Sequence, residues 1–108
     1  MMRAYIKTYG CTLNQADGDI MAAVLERNGV EISEGADDCD VVVLNTCTVK
    51  KPTEQRTLHM LKRLSDAGRK IVVAGCMVGS RSDAIQRYAP GASMVNPSPY
   101  AVLYRFQY

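Results

Sequence analysis

The chain has 108 residues, 47% hydrophobic and 22% charged, the make-up of an ordinary soluble globular protein with length enough for one core. No run of about 18 apolar residues is present, which excludes a membrane-spanning helix. The formal net charge of +2 hides a segregation: residues 1–49 hold 8 acids and 3 bases, whereas residues 50–108 hold 3 acids and 10 bases. A balance of −5 against +7 is compatible with nucleic-acid contact along the second half, and equally with a solvated basic helix face. The N-terminal MMRAYIKTYG lacks the apolar h-region of a secretory signal, so the expected compartment is the cytoplasm. There, four cysteines are reduced thiols or metal ligands rather than disulfides.

In chain order, Ala4–Thr8 has the aromatic and β-branched character of a short strand. Tyr9-Gly10-Cys11 leaves it, and Asn14, with Asp17 three residues on, reads as a helix start. Ile20, Met21, Val24 and Leu25 share one helical face, and Asn28-Gly29 is a helix stop. Val30–Ile32 is a brief second strand and Ser33–Asp40 a polar, acidic loop. Val41–Leu44 is a continuous apolar run, as in a central parallel strand buried on both faces; Val41–Asn45 is read as that strand.

Pro52 or Thr53 opens a second helix with Leu58, Leu61 and Leu64 as its buried stripe, and Gly68 closes it. Lys70–Ala74 is another buried strand, left through Gly75-Cys76. Ser80 and Ser82 are alternative N-caps for a third helix carrying Ala84, Ile85 and Tyr88, closed by Pro90-Gly91. Ser93–Val95 is a last short strand, Asn96-Pro97-Ser98-Pro99 after it is the only linker-like spot, and Ser98-Pro99 caps a C-terminal helix bearing Val102, Leu103 and Phe106. The order β-α-β-β-α-β-α-β-α predicts a single domain over 1–108, an α/β flavodoxin-like three-layer fold. Its sheet is mostly parallel, with right-handed crossovers and helices on both faces.

In such a sheet, ligands bind beyond the carboxyl ends of the strands. Cys11, Cys47 and Cys76 each follow a strand closely and precede a helix, so all three are expected at that edge despite sequence gaps of 36 and 29 positions. Helix N-termini favour the thiolate form that a metal requires. Three converging thiolates suit an iron–sulfur cluster with one iron left open. A single cysteine after a strand is commonly a small buried hydrophobe; three at equivalent topological positions are not explained that way. Cys39 precedes a strand, belongs at the opposite edge, and is read as structural.

TYGCTLNQADGDIM, VVVLNTCTVKKPTEQR and VVAGCMV, in this order over about residues 3–95, resemble the three cysteine motifs of the methylthiotransferase N-terminal domain. Members of that family are radical S-adenosylmethionine enzymes that insert a methylthio group into a tRNA base or a ribosomal-protein residue. The resemblance implies that Cys11, Cys47 and Cys76 hold an auxiliary 4Fe–4S cluster whose open iron takes part in supplying sulfur. TVKKPTE after the central cysteine is closer to the archaeal and eukaryotic branch, which acts on threonylcarbamoyladenosine next to the tRNA anticodon. Two departures stand out: Asp17-Gly18-Asp19 where the family usually has Asp-Ser-Glu, and Met77-Val78-Gly79 after the third cysteine where Gln or Pro is common.

The family's radical domain, with its CxxxCxxC motif, and its RNA-binding TRAM domain have no counterpart in this sequence. The resemblance therefore implies an N-terminal domain that is inactive alone. S-adenosylmethionine, a second 4Fe–4S cluster and the tRNA anticodon loop would be engaged by the full-length enzyme through a radical domain in cis.

Other residues carry competing readings. Asn14 and Asp17 match family positions, and helix capping explains both without chemistry. Asn45 either hydrogen-bonds a cluster sulfur or braces the turn. His59, the only histidine, lies on the polar side of its helix and is read as solvated. Lys50, Lys51, Arg56, Lys62 and Arg63 are read as an exposed face, with phosphate contact as the alternative. No P-loop or dinucleotide fingerprint is present, which counts against the competing function, a flavodoxin-like nucleotide or flavin module. A zinc or redox-thiol module is a third class, but the long cysteine spacings match no zinc-finger pattern.

Overall fold

A computed structural model describes residues 2–9, 12–46 and 51–95; of residues 12–14, 51–53 and 76 only the backbone is described. The elements are β1 (Arg3–Thr8), α1 (Thr12–Arg27), β2 (Glu31–Ile32), a 3-10 turn (Ala36–Asp38), β3 (Val41–Thr46), α2 (Lys51–Asp66), β4 (Lys70–Gly75), α3 (Cys76–Ser80), α4 (Ser82–Tyr88) and β5 (Ser93–Met94). The strands form one sheet in the order β2-β1-β3-β4-β5, with every pairing parallel. The expected C-terminal helix and the Asn96–Pro99 linker lie outside the described residues.

The continuous apolar run becomes the middle strand, as expected. All six residues of β3 are buried, because the strand is paired on both edges and covered on both faces. Alternation divides its side chains between two cores. Val41 and Val43 join Ala4, Met21, Leu25 and Val72 beneath α1. Val42 and Leu44 join Leu61, Leu64, Val73, Met77 and Ile85 beneath α2, α3 and α4. Helices thus cover both faces, which gives the three layers expected from the sequence. Each fully buried Val or Leu contributes about 1.5–3 kcal/mol, so this strand anchors both cores.

Both long helices end as the sequence indicates. The amides of Gly29 and Val30 donate to the carbonyls of Glu26 and Leu25, at 3.2 and 3.0 Å, in a Schellman turn. Gly68 and Arg69 repeat this arrangement on Ser65 and Leu64. The helix starts depart from expectation. α1 begins at Thr12, two residues before Asn14, so Asn14 and Asp17 are both inside the helix and neither is its N-cap. The reason is the tightness of the connection: the Tyr9 amide still donates to Asn45 O at 2.9 Å, leaving little chain before the helix must begin. The expected third helix is two short helices broken at Arg81, with φ −135° and ψ 35°. Neither Ser80 nor Ser82 is an N-cap. Instead the Arg81 amide donates to Met77 O at 2.8 Å and the Ile85 amide to Arg81 O at 3.1 Å, so the i to i−4 ladder runs on through the break.

The connection from β2 to β3 holds only the 3-10 turn, although these strands lie on opposite sides of β1. Ala36 and Cys39 of this connection pack with Tyr5 on the α2 side of the sheet. Arg69 ties the segment down, its guanidinium donating to Ala36 O at 2.5 Å and Cys39 O at 2.9 Å.

The burial pattern of α2 makes a direct prediction. Leu61 is fully buried and His59 exposed two residues away. Leu61→Ala should lower the unfolding free energy by about 2–5 kcal/mol, and His59→Ala by less than about 0.5 kcal/mol, in urea denaturation followed by circular dichroism. Equal losses would contradict the assigned helix face.

Candidate functional site

The edge formed by the carboxyl ends of β1, β3 and β4 is built from backbone register. Thr8 lies opposite Asn45, and Thr46 lies opposite Gly75. These three strands are contiguous in the sheet, with neighbouring strands about 4.8 Å apart. They are also the strands whose last residue is followed within three positions by a cysteine. Cys47 is bonded to Thr46, Cys11 is separated from Thr8 by two residues, and Cys76 is the first residue of α3. Cys11 and Cys47, and the side chain of Cys76, lie outside the described residues. Among the described residues no group of three His, Cys, Asp or Glu side chains converges as a metal site.

What is described is a rigid support directly beneath those positions. The buried Thr46 hydroxyl donates to Ala74 O at 2.5 Å and accepts from the Met77 amide at 3.1 Å. A single side chain on β3 therefore holds both the end of β4 and the first turn of α3. Thr46 directly precedes Cys47 and Met77 directly follows Cys76, so the clamp fixes the chain on the near side of two of the three cysteines.

Gly75 makes the clamp possible. Its φ of 91° and ψ of −165° lie in a region that is essentially open to glycine alone. A β-carbon there would meet Thr46 O at 2.4 Å and Thr46 N at 2.6 Å, both backbone atoms that cannot give way. The backbone of β4 consequently turns over β3 without a side chain between them, and α3 starts at the very next residue. The sequence reading had placed Cys76 in a loop ahead of a later helix; the glycine turn removes the need for one.

The buried Asn45 amide lies just below. Its Oδ1 is 3.0 Å from where a Gly75 β-carbon would be, and its Nδ2 is 3.5 Å from the corresponding point on Gly18. These distances place the Asn45 amide between α1 and the β4 turn. Gly18 also meets β1 closely: a β-carbon on it would lie 2.4 Å from Thr8 Oγ1. The residue that departs from the usual Asp-Ser-Glu pattern is thus one where the Thr8 hydroxyl already occupies the space.

Tyr9, at the exit of β1, is half-buried; burial pushes its hydroxyl above the ordinary tyrosine range, a neighbouring Tyr5 adds to this and Arg56 opposes it. Lys7 Nζ sits 5.7 Å from the centre of the Tyr9 ring. Cys39 is at the opposite edge, as expected. Its thiol donates to Ala36 O at 3.2 Å and lies 3.2 Å from the Arg69 guanidinium, inside the tie that holds the β2–β3 connection. Arg56, His59, Lys62 and Arg63 are all exposed on α2, while Lys50 and the Lys51 side chain lie outside the described residues. Sequence reasoning missed Thr46, Gly75 and Thr8. Their roles depend on which strands are neighbours, although a glycine directly before a cysteine at a strand end was a usable signal.

Together, the all-parallel sheet and its two helical layers define a flavodoxin-like α/β domain. A short-chain flavodoxin associated with a bacterial microcompartment superposes with a TM-score of 0.60, covering 93% of this chain and 87% of that one at 17% identity, which establishes the shared fold. The family described as "Uncharacterized protein family UPF0004" matches residues 3–96, and the chain belongs to it, the N-terminal domain family of the methylthiotransferases. It is 42% identical over 98 residues to a probable threonylcarbamoyladenosine tRNA methylthiotransferase of Methanothermobacter thermautotrophicus, covering 89% of this chain and 23% of that protein. It is 37% identical over 95 residues to the threonylcarbamoyladenosine tRNA methylthiotransferase of Homo sapiens, covering 88% of this chain and 16% of that protein. The chain thus spans less than a quarter of the length of these relatives.

Two substitutions test the support. Gly75→Ala should cost about 3 kcal/mol or more, because it adds backbone strain to a steric overlap. Thr46→Val should cost about 1–3 kcal/mol by leaving the buried Met77 amide without its acceptor, whereas Thr46→Ser keeps both bonds and should cost less than about 1 kcal/mol. The readout is the urea midpoint at constant slope. A Gly75→Ala chain as stable as the parent would show that the turn relaxes without cost.

Proposed function

We propose that this chain is the auxiliary-cluster domain of a tRNA methylthiotransferase, with Cys11, Cys47 and Cys76 as the three protein ligands of a 4Fe–4S cluster. The observation that carries this reading is the contiguity of β1, β3 and β4: the three cysteines each come within three residues of the end of one of these adjacent, in-register strands, and the three residues after β2 or β5 hold no cysteine. Their chemistry fits, since thiolates are the usual iron–sulfur ligands. Family membership and the printed names of the relatives support the reading from a separate direction.

In this reading the chain's own residues hold the site open and fixed. Thr46 and Gly75 set the position of the Cys47 and Cys76 backbones, Asn45 fills the floor, and Tyr9 borders the edge from β1. When bound, the cluster would supply an iron without a protein ligand, where sulfur can be held for transfer. The remaining reaction belongs to the full-length enzyme: a radical S-adenosylmethionine domain in cis with its own 4Fe–4S cluster, acting on tRNA in the cytoplasm. The substrate proposed is threonylcarbamoyladenosine beside the anticodon. Its support is the VKKP segment after Cys47 together with the archaeal and eukaryotic relatives that carry this substrate in their names. The described helices include none long and apolar enough to cross a membrane.

Anaerobic reconstitution with iron and sulfide tests the ligand set, followed by iron and sulfide analysis and the visible absorption of the cluster. Alanine at 11, 47 or 76 should each reduce bound iron to background, and Cys39→Ala should retain the parental content. A cluster that persists without Cys76, or is lost with Cys39, overturns the assignment. If the chain takes up a flavin instead of iron, the flavodoxin-like binding module replaces it.

A further inference from the structure

The short β2–β3 connection has a consequence for the surface. Its Ala36 and Cys39 pack against the α2-side core, the core that Tyr5 of β1 and Tyr9 just after it also border. Alternation along β1 sends Tyr5, Lys7 and Tyr9 to this same face, where Lys7 and Tyr9 stay partly exposed beside α2. The result is an open trough of about 530 Å³, bordered by Lys7 and Tyr9 on the sheet and by Arg56, His59, Met60 and Arg63 on the helix.

The charge of the trough is one-sided. Lys7, Arg56 and Arg63 contribute three positive charges, and no carboxylate lines it. Among the described residues none of these three is in an ion pair, whereas Lys62 on the same helix is held by Asp66 at 3.0 Å and Arg81 by Glu54 at 2.5 Å. Cations gathered in one concavity focus the field and raise the local concentration of anions. Acidic residues are kept elsewhere: α1 carries Asp17, Asp19 and Glu26, and Asp37, Asp38 and Asp40 lie in the β2–β3 connection.

Arg56 and Arg63 stand about 10 Å apart along the helix, seven residues at about 1.5 Å each, on one side of the trough. One end opens beside Tyr9, next to the Asn45 carbonyl and so to the edge where the cysteines follow their strands.

The geometry points to the trough between β1 and α2 as a binding groove for the phosphodiester backbone of single-stranded RNA, with Lys7, Arg56 and Arg63 as its phosphate contacts. This deepens the functional reading above and rests on it for the choice of RNA as the polyanion. Bound this way, a strand leads toward the cysteine edge, while the acidic α1 layer repels it from the opposite face.

Fluorescence anisotropy of a short labelled single-stranded RNA tests the groove, using the full chain prepared without iron and titrated over a range of salt. The parent should bind with log affinity falling linearly against log salt, at a slope of about −2 for three phosphates. Arg56→Gln and Arg63→Gln should each weaken binding and flatten that slope by about 0.7. Lys7→Glu, Arg56→Glu and Arg63→Glu combined should cost at least about tenfold in affinity. Lys62→Glu, outside the trough on the same helix, is the matched control and should leave affinity within about twofold. Absent binding by the folded parent, or an equal loss with Lys62→Glu, overturns the groove. Reconstituting the cluster in the same variants separates the two proposals: a chain that takes up iron but ignores RNA removes the groove alone, and one that binds RNA through the trough without iron removes the cluster alone.

Discussion

The Thr46 hydroxyl is the contact on which the functional edge depends. β3 is paired with both β1 and β4, so its last residue sits where three strand ends must be held at one height. Thr46 meets this need by spending its donor on the Ala74 carbonyl and its acceptor on the Met77 amide. In water such bonds contribute about 1 kcal/mol each, but inside a core the penalty for losing one partner is larger. A valine would satisfy the hydrophobic pattern of β3 and break the edge. The strand therefore ends with two polar residues, Asn45 and Thr46, that are as buried as its valines, and their polarity is used within the protein rather than against solvent.

Gly75 and Thr46 act as one unit. Without a β-carbon, β4 comes close enough to β3 for the hydroxyl to reach past it into α3; with one, the strand end would be pushed away and both bonds would lengthen together. The same economy appears on the other side of the sheet, where Gly18 lets α1 approach Thr8. Two glycines and two threonines thus set how closely the described helices approach the strand ends. Close packing of this kind leaves the strand ends few alternative positions.

The layered fold was legible because its signals are periodic. The Val41–Leu44 run, the leucines of α2 and the Gly29 and Gly68 stops each report a local rule, and each is found where that rule places it. The helix starts were less legible. Asn14, Ser80 and Ser82 are good capping residues in isolation, but the close coupling of strand end to helix overrides them: α1 and α3 start as soon as the backbone has turned. The break at Arg81 had no sequence signal of its own. Of the candidate site, the cysteine pattern was visible in the spacing of strands, whereas the Thr46 clamp is a contact between residues 46, 74 and 77 that appears only once β3 and β4 are known to be neighbours.

The same dependence on neighbours gives the basic half of the sequence its meaning. Read along the chain, Arg56, Lys62 and Arg63 form one exposed face. In the folded chain they separate into a residue paired with its own helix, Lys62, and two that join Lys7 from the acidic half of the sequence. Lys7 reaches them only because the β2–β3 connection is a 3-10 turn rather than a helix, so that the upper part of β1 stays open. A helix in that connection would have completed the layer and buried the trough. The omission of one helix thus links the topology of the sheet to the electrostatics of its surface, and it does so on the side where β1 delivers Tyr9 to the cysteine edge.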